Sequence, residues 1–137
     1  VNRVLFRQIA EERERDALGL INIGQWSGAY YLAGYAVECG LKACIARKTS
    51  QDDFPDKEFA NKCFTHNIEE LVKLAGLQST HKALVLANPV FEKNWKVVRE
   101  WDEKARYSLW TEAEARDLYR ATTDLADGVL TWIKAYW

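Results

Sequence analysis

Glu38 and Lys42 are the residues of this chain whose placement most invites chemistry, because they are charged and their neighbours are not. Between Tyr30 and Ala46 they are the only Asp, Glu, Lys or Arg. They stand four apart with the acid first, the order that forms an attractive pair across one helical turn. Tyr31 and Tyr35 precede them on the same helical stripe, so two phenols, a carboxylate and an ammonium would share one line. Two readings are open. Either Glu38 and Lys42 are a structural ion pair at the edge of a core, or the four side chains surround a polar pocket.

A second group lies later in the chain: Arg99, Trp101, Arg106 and Tyr107. Arginine beside aromatic rings suits phosphate and base recognition, because the planar guanidinium forks onto phosphate oxygens while the rings offer stacking faces. The alternative is a core Trp101 flanked by two solvated arginines. His66 precedes the Asn67 helix cap, where it either satisfies a local backbone group or moves a proton. The common signatures are missing: no glycine loop for phosphates, no His-Glu-x-x-His and no Cys-x-x-Cys. Cys63 and His66 are one turn apart, but two ligands do not make a zinc site. No metal or cofactor is expected.

The elements that must position these groups read as helices. Apolar residues Leu5, Ile9, Ala17, Leu20 and Ile21 predict one from about Arg3 to Asn22, with Glu12, Arg13 and Asp16 close to the apolar stripe. A second helix is expected from a Ser27 cap to Lys48. Ala29, Ala33, Ala36, Gly40 and Ala43 give it a ridge of small residues that lets another helix come close. With Tyr30, Gly34, Val37, Leu41 and Cys44 on a further face, it is apolar nearly all round and belongs at the centre of a bundle.

Thr49 to Thr65 reads as irregular, with Asp52-Asp53-Phe54-Pro55-Asp56 as a loop signal. Asn67 with Glu70 suggests a capping box, Gly76 a terminator, Lys82–Ala87 a turn or two of helix, and Asn88-Pro89 a further start. Phe91, Trp95, Val98 and Trp101 mark that helix's buried side. Thr111 with Glu114 caps a last helix, in which Leu118, Thr122, Leu125, Val129, Trp132 and Tyr136 form a heptad-like seam to the end.

Bulk composition fits one all-α domain over residues 1–137. The chain is 48% hydrophobic and 28% charged, with only two prolines and seven glycines. A net charge of −1 gives no global attraction to nucleic acid or anionic lipid, leaving only a local basic patch. Three cysteines without framework spacing point to a reducing, cytoplasmic setting. No signal peptide pattern opens the sequence. The absence of Met places the natural start upstream. Ser27 to Ala46 is long enough to span a bilayer, but its interior charges mark it as a buried core helix. Six tryptophans and a long apolar last helix exceed what a thin bundle should hide, which predicts a homodimer.

The run Ala29-Tyr30-Tyr31-Leu32-Ala33-Gly34-Tyr35-Ala36-Val37-Glu38-Cys39-Gly40-Leu41-Lys42-Ala43 resembles the second helix of HEPN domains, the higher eukaryotes and prokaryotes nucleotide-binding family. Thr65-His66-Asn67-Ile68 resembles the start of that family's third helix. Trp101, then Arg106-Tyr107, then a long helix ending in Trp132-Ile133, resembles its C-terminal half. The resemblance implies an up-and-down bundle of four to five helices, commonly a homodimer. It also implies nucleotide or RNA binding, metal-independent RNase activity, or pairing with a small nucleotidyltransferase in toxin–antitoxin and defence systems. RNase members carry Arg, four to six residues, then His. Here Arg106 matches the arginine, but Thr111, Glu112 and Ala113 stand where the histidine would fall.

The expectation is therefore a non-catalytic module binding nucleotide or RNA, with ligand residues Arg106, Tyr107, Glu38, Lys42, Tyr35, Tyr31, His66, Arg99 and Trp101. A divergent RNase using Arg106 and a purely structural dimerisation module are the alternatives.

Overall fold

Capping chemistry sets most of the helix starts. Asn2 accepts from the Leu5 amide at the head of α1 (Arg3–Asn22). The chain then reverses through Ile23-Gly24-Gln25, with Gly24 at φ 75°, into α2 (Trp26–Lys48). The computed structural model describes residues 1–49, Asp52, Phe54 and 56–137, and among these it is all-α with no strand. α3 (Lys57–Lys62), α4 (Ile68–Leu74), α5 (Gln78–Ala87) and α6 (Pro89–Val98) follow. A 3-10 turn (Glu103–Tyr107), α7 (Glu112–Thr123) and α8 (Val129–Ile133) complete the order.

α2 is the hub: it packs against α1, α4, α7, α8 and the 3-10 turn. The expected ridge is fully covered, from Ala29 through Ala33, Ala36 and Gly40 to Ala43. A Cβ added at Gly40 would meet Leu130 at 2.9 Å and Ile133 at 3.2 Å, so at that position the ridge admits α8. Gly34 is tighter still, with the Trp101 ring lying 2.2 Å from where its Cβ would stand. Such contact brings backbone and indole together without an intervening side chain, at the packing density of a protein interior.

Several expectations need correction. Ser27 is not the cap of α2. It lies inside the first turn, and its hydroxyl instead accepts from the Trp110 amide at 2.9 Å. The Thr49–Thr65 stretch contains α3, capped by Asp56, which accepts from the Glu58 and Phe59 amides. Asp53 and Pro55 of the expected loop lie outside the described residues. Asn67 caps α4 through the Glu70 amide, and among the described residues the reciprocal half of a capping box is formed only at Thr111–Glu114. α5 begins at Gln78, earlier than its apolar pattern shows.

The last helix is broken. Asp124 takes φ −47° and ψ 130°, its carboxylate accepts from the Ala126 and Asp127 amides, and α8 restarts after Gly128. Leu125, expected in the seam, is 95% exposed. Gly128 is required here, because a Cβ would sit 2.6 Å from the Asp124 backbone. Leu5 is also less covered than its stripe implies. All six tryptophans are buried or half-buried within the one chain, so they no longer argue for a second copy. No helix among the described residues is long and apolar enough to cross a membrane.

Candidate functional site: a polar stripe along the central helix

The face of α2 that no other helix covers runs through Tyr31, Tyr35 and Lys42, each half-buried, with Glu38 beneath. Glu38 is 2% exposed, and a carboxylate so deep needs partners to offset its lost hydration. It has two. Lys42 Nζ donates to Oε1 at 2.9 Å, and His66 Nδ1 lies 3.0 and 3.1 Å from Oε1 and Oε2. His66 therefore does not serve a local backbone group. Nδ1 faces the carboxylate, and Nε2 is the ring nitrogen outside that contact, on a side chain that is 45% exposed.

The turn that holds His66 is fixed on both sides. Thr65 Oγ1 accepts from the Asn67 amide, and Asn67 caps α4, which packs on α2. On its other side Lys42 forms part of the wall of an apolar groove of about 460 Å³ with Phe6, Ile45, Phe59 and Phe64.

Above Glu38, the Tyr31 and Tyr35 rings lie parallel with centroids 6.1 Å apart, and Tyr31 touches Trp101 at 5.9 Å. Burial pushes the Tyr35 phenol up to about 12, with its hydrogen-bonded neighbour Cys39 adding to the shift. Burial likewise pushes the Cys39 and Cys44 thiols up to about 11 and raises Cys63. Burial thus holds all three thiols further towards the protonated form than a free cysteine.

Arg106 and Tyr107 occupy the 3-10 turn at the upper end of the stripe. Trp110 stacks on Tyr30 with centroids 3.7 Å apart, and its indole donates to the Ala105 carbonyl at 3.0 Å. Ala105 and Trp101 are buried, so the turn is anchored while Arg106 and Tyr107 stay in solvent. The Arg106 guanidinium carbon lies 4.9 Å from the Tyr107 ring centroid. Contact with Tyr107, then with Tyr31, raises its pKa further above the ordinary arginine value. Among the described residues Arg106 forms no ion pair with a carboxylate.

The two groups of candidate residues do not close into one cleft but lie along an elongated stripe. Arg106 is on open surface and does not touch Glu38 or Lys42, because Tyr31 and Glu38 are seven residues, or about 10 Å of helical rise, apart. Trp101 is core, filling the space over Gly34, and contributes through Tyr31 rather than by its own face. Arg99 belongs elsewhere, beside Glu69 at 4.0 Å and Glu100 at 3.6 Å. Thr111, at the first position where a histidine would follow Arg106, is spent as the cap of α7, and the next residue, Glu112, pairs with Arg116. Among the described residues no group of three metal-ligating side chains converges.

Sequence reading missed Ser27, Tyr30 and Trp110 as the anchors of the Arg106 turn, since their partners lie up to 83 residues apart. It also missed His81. That ring is 9% exposed, 4.1 Å from Trp95 and 5.5 Å from Trp132, and its Nε2 has no hydrogen-bond partner. Burial lowers its pKa, with Glu69 opposing weakly. The unfolded chain therefore takes up a proton more readily than the folded one. Stability is expected to be full above the ordinary histidine value of about 6.5 and to fall as pH drops through the lower folded value. Chemical denaturation of wild type and His81→Gln across pH 4.5–8 checks this, since the variant should lose that part of the slope. Parallel profiles would show that His81 is not the titrating group.

Comparison with protein-family profiles, with curated proteins and with solved structures finds no match to the chain.

Proposed function

We propose that the stripe binds a phosphate-bearing ligand, a nucleotide or RNA, in a HEPN-type module that does no chemistry on it. The observation that carries this reading is the exposed, carboxylate-free guanidinium of Arg106, stacked on Tyr107 and continued by the Tyr31–Tyr35 pair. A guanidinium held by phenols but by no carboxylate keeps its positive charge uncompensated for phosphate oxygens. Tyr107 is 77% exposed and offers a face to a base. Glu38 holds Lys42 and His66 in place rather than meeting the ligand. The sequence resemblance of α2, His66-Asn67 and Arg106-Tyr107 to HEPN domains supports the same reading. From it come the homodimer and the small nucleotidyltransferase partner of a toxin–antitoxin or defence system. The four- to five-helix HEPN bundle is part of this reading, although the described residues form eight α-helices, of which α3 is the one with no buried residue.

Arg106→Ala is expected to weaken nucleotide or RNA binding about tenfold, the worth of one charge-assisted phosphate contact. Its melting temperature should match wild type, because the side chain is exposed. Arg106→Lys should restore charge but not the forked geometry, and so recover only part of the affinity. Unchanged affinity in Arg106→Ala, measured by fluorescence anisotropy, would remove the central support.

One observation favours a second reading, a divergent metal-independent RNase. An imidazole held by a buried carboxylate on a half-exposed side chain is an arrangement that acid–base catalysis uses. RNA cleavage in EDTA that is lost in Arg106→Ala and His66→Gln would establish it in place of simple binding.

A further inference from the structure

α5 is attached to the bundle by very little. His81 is its one buried residue, Leu84 and Val85 are half-buried, and Leu86 is 88% exposed. The helix rests on α6 and more lightly on α4, and its start has no side-chain cap. Ten residues are too few for a helix to persist by itself in water, so α5 depends on those contacts. Both of its ends are joints. Gly76, at φ 73°, turns the chain just before it, and Asn88, at φ −131° and ψ 97°, separates it from α6.

The His81 ring sits in a box of aromatic rings supplied by two other helices. Trp95 and Phe91 of α6 lie edge to face with it at 4.1 and 5.9 Å, and Trp132 of α8 is at 5.5 Å. Nε2 is buried there without a hydrogen-bond partner among the described residues. A neutral imidazole fits this box as a flat, mostly apolar plug. An imidazolium does not, because it gives up its water and finds no acceptor. Ring faces attract a cation, but by far less than that lost hydration.

The charged groups around the box do not supply a counter-ion. α4 brings Glu69 and Lys73, α5 itself Lys82, and α6 Glu92, Lys96 and Arg99. α8 carries no charged residue, and Lys134 just after it pairs with Glu14 at 2.9 Å. Glu92 is engaged by Lys96 at 3.0 Å, while Arg99 reaches Glu69 at 4.0 Å and Glu100 at 3.6 Å. Glu69 is the carboxylate that acts on the ring, and it opposes burial without outweighing it.

We propose that His81 is a proton-operated latch: protonation expels the imidazole from the aromatic box and releases α5 while the rest of the bundle stays folded. The release uncovers Phe91 and Trp95, which are 1% and 6% exposed with the latch closed, beside Trp132. Acidification thus turns a covered aromatic face into an open one. The released histidine titrates at the ordinary value of about 6.5, and the closed one lower. Between those values the released state binds one proton more, so its population rises by up to about tenfold for each unit that pH falls. The latch does not depend on the stripe being a ligand site.

The test is native-state hydrogen exchange of the whole chain, read by mass spectrometry from about pH 7.5 to about pH 5, with and without urea below the unfolding midpoint. With intrinsic rates removed, the amides of α5 are expected to exchange at least about tenfold faster than those of α2. Their protection should fall by up to about tenfold per pH unit below about 6.5. Urea should scarcely change it, because little surface opens with α5. α2 exchanges by opening the whole bundle, so its protection should fall with urea. His81→Phe keeps an aromatic plug that cannot titrate and should remove the pH dependence from α5. His81→Gln, a smaller side chain, should remove it too, with weaker protection of α5 throughout.

Equal protection and equal urea dependence in α5 and α2 would show that α5 opens only with the whole bundle, which overturns the latch. So would protection of α5 that does not change with pH, or a pH dependence that survives both substitutions.

Discussion

Gly34→Ala is expected to destabilise the protein by about 1–3 kcal/mol, the range for overpacking a well-filled core. For a chain of this size that is a fall in melting temperature of roughly 4–12 °C. The added Cβ would fall 2.2 Å from Cγ and Cδ1 of Trp101, a ring that is 2% exposed and cannot swing aside. Gly40→Ala should cost less. Its obstacle at 2.9 Å is the tip of Leu130, a flexible side chain, and only Gly40→Leu should bring a loss of about 1–3 kcal/mol there. Gly19→Ala should move the other way, gaining about 0.5–1 kcal/mol, because it lies inside α1 with nothing within 4 Å of its added carbon. Thermal melts of the series should rank Gly34→Ala lowest, Gly40→Ala next, wild type above them and Gly19→Ala highest. A Gly34→Ala variant melting with wild type would mean that Trp101 is not seated on α2. The 3-10 turn would then lose the footing that places Arg106.

Glu38→Gln should have the second large effect. It keeps the shape of the side chain and removes the charge that Lys42 and His66 were positioned to meet. Breaking a fully buried ion pair from one side costs about 3–5 kcal/mol, because the remaining charge is left without its partner. Lys42 is 15% exposed and His66 nearly half exposed, so water recovers part of this, and a loss of about 2–3 kcal/mol is expected. Adding Lys42→Met should return some of it. The coupling emerges from a double-mutant cycle in urea, with m-values confirming that the unfolding unit is unchanged. Strictly additive single effects would show that Glu38 and Lys42 do not depend on each other, and the ion pair would then be incidental to the stripe.

These two variants separate what the side chains do for the fold from what they do for a ligand. Gly34→Ala acts through the scaffold of Arg106, whereas Glu38→Gln acts on the opposite end of the stripe. The surface change at Arg106 should leave the melt alone. That division follows from burial, since only the first pair lies where water cannot relax around the change.

The central helix was legible because periodicity is a local property. Its small-residue ridge, its apolar surround and the Glu38–Lys42 spacing all lie within one run of sequence. Caps that depend on near neighbours, such as Asn67, Asn88 and Thr111, could be read for the same reason. The break at Asp124–Gly128 could not. Leu125 continues a heptad-like pattern that a straight helix would bury, but Asn88 and Asn94 of the α6 region bind Asp127 at 2.7 and 2.9 Å, and that distant grip holds the turn that ends α7.

By itself, then, the sequence determined an all-α protein built on one buried helix with a single polar stripe, since helical period and the cost of burying charge are written in residue order. Which residues complete that stripe depends on how the helices pack. Glu38 and His66 are 28 residues apart, and nothing in either neighbourhood specifies that α4 starts against α2. Contacts between segments depend on how apolar faces pack, and packing is a property of the whole set of helices rather than of any one of them.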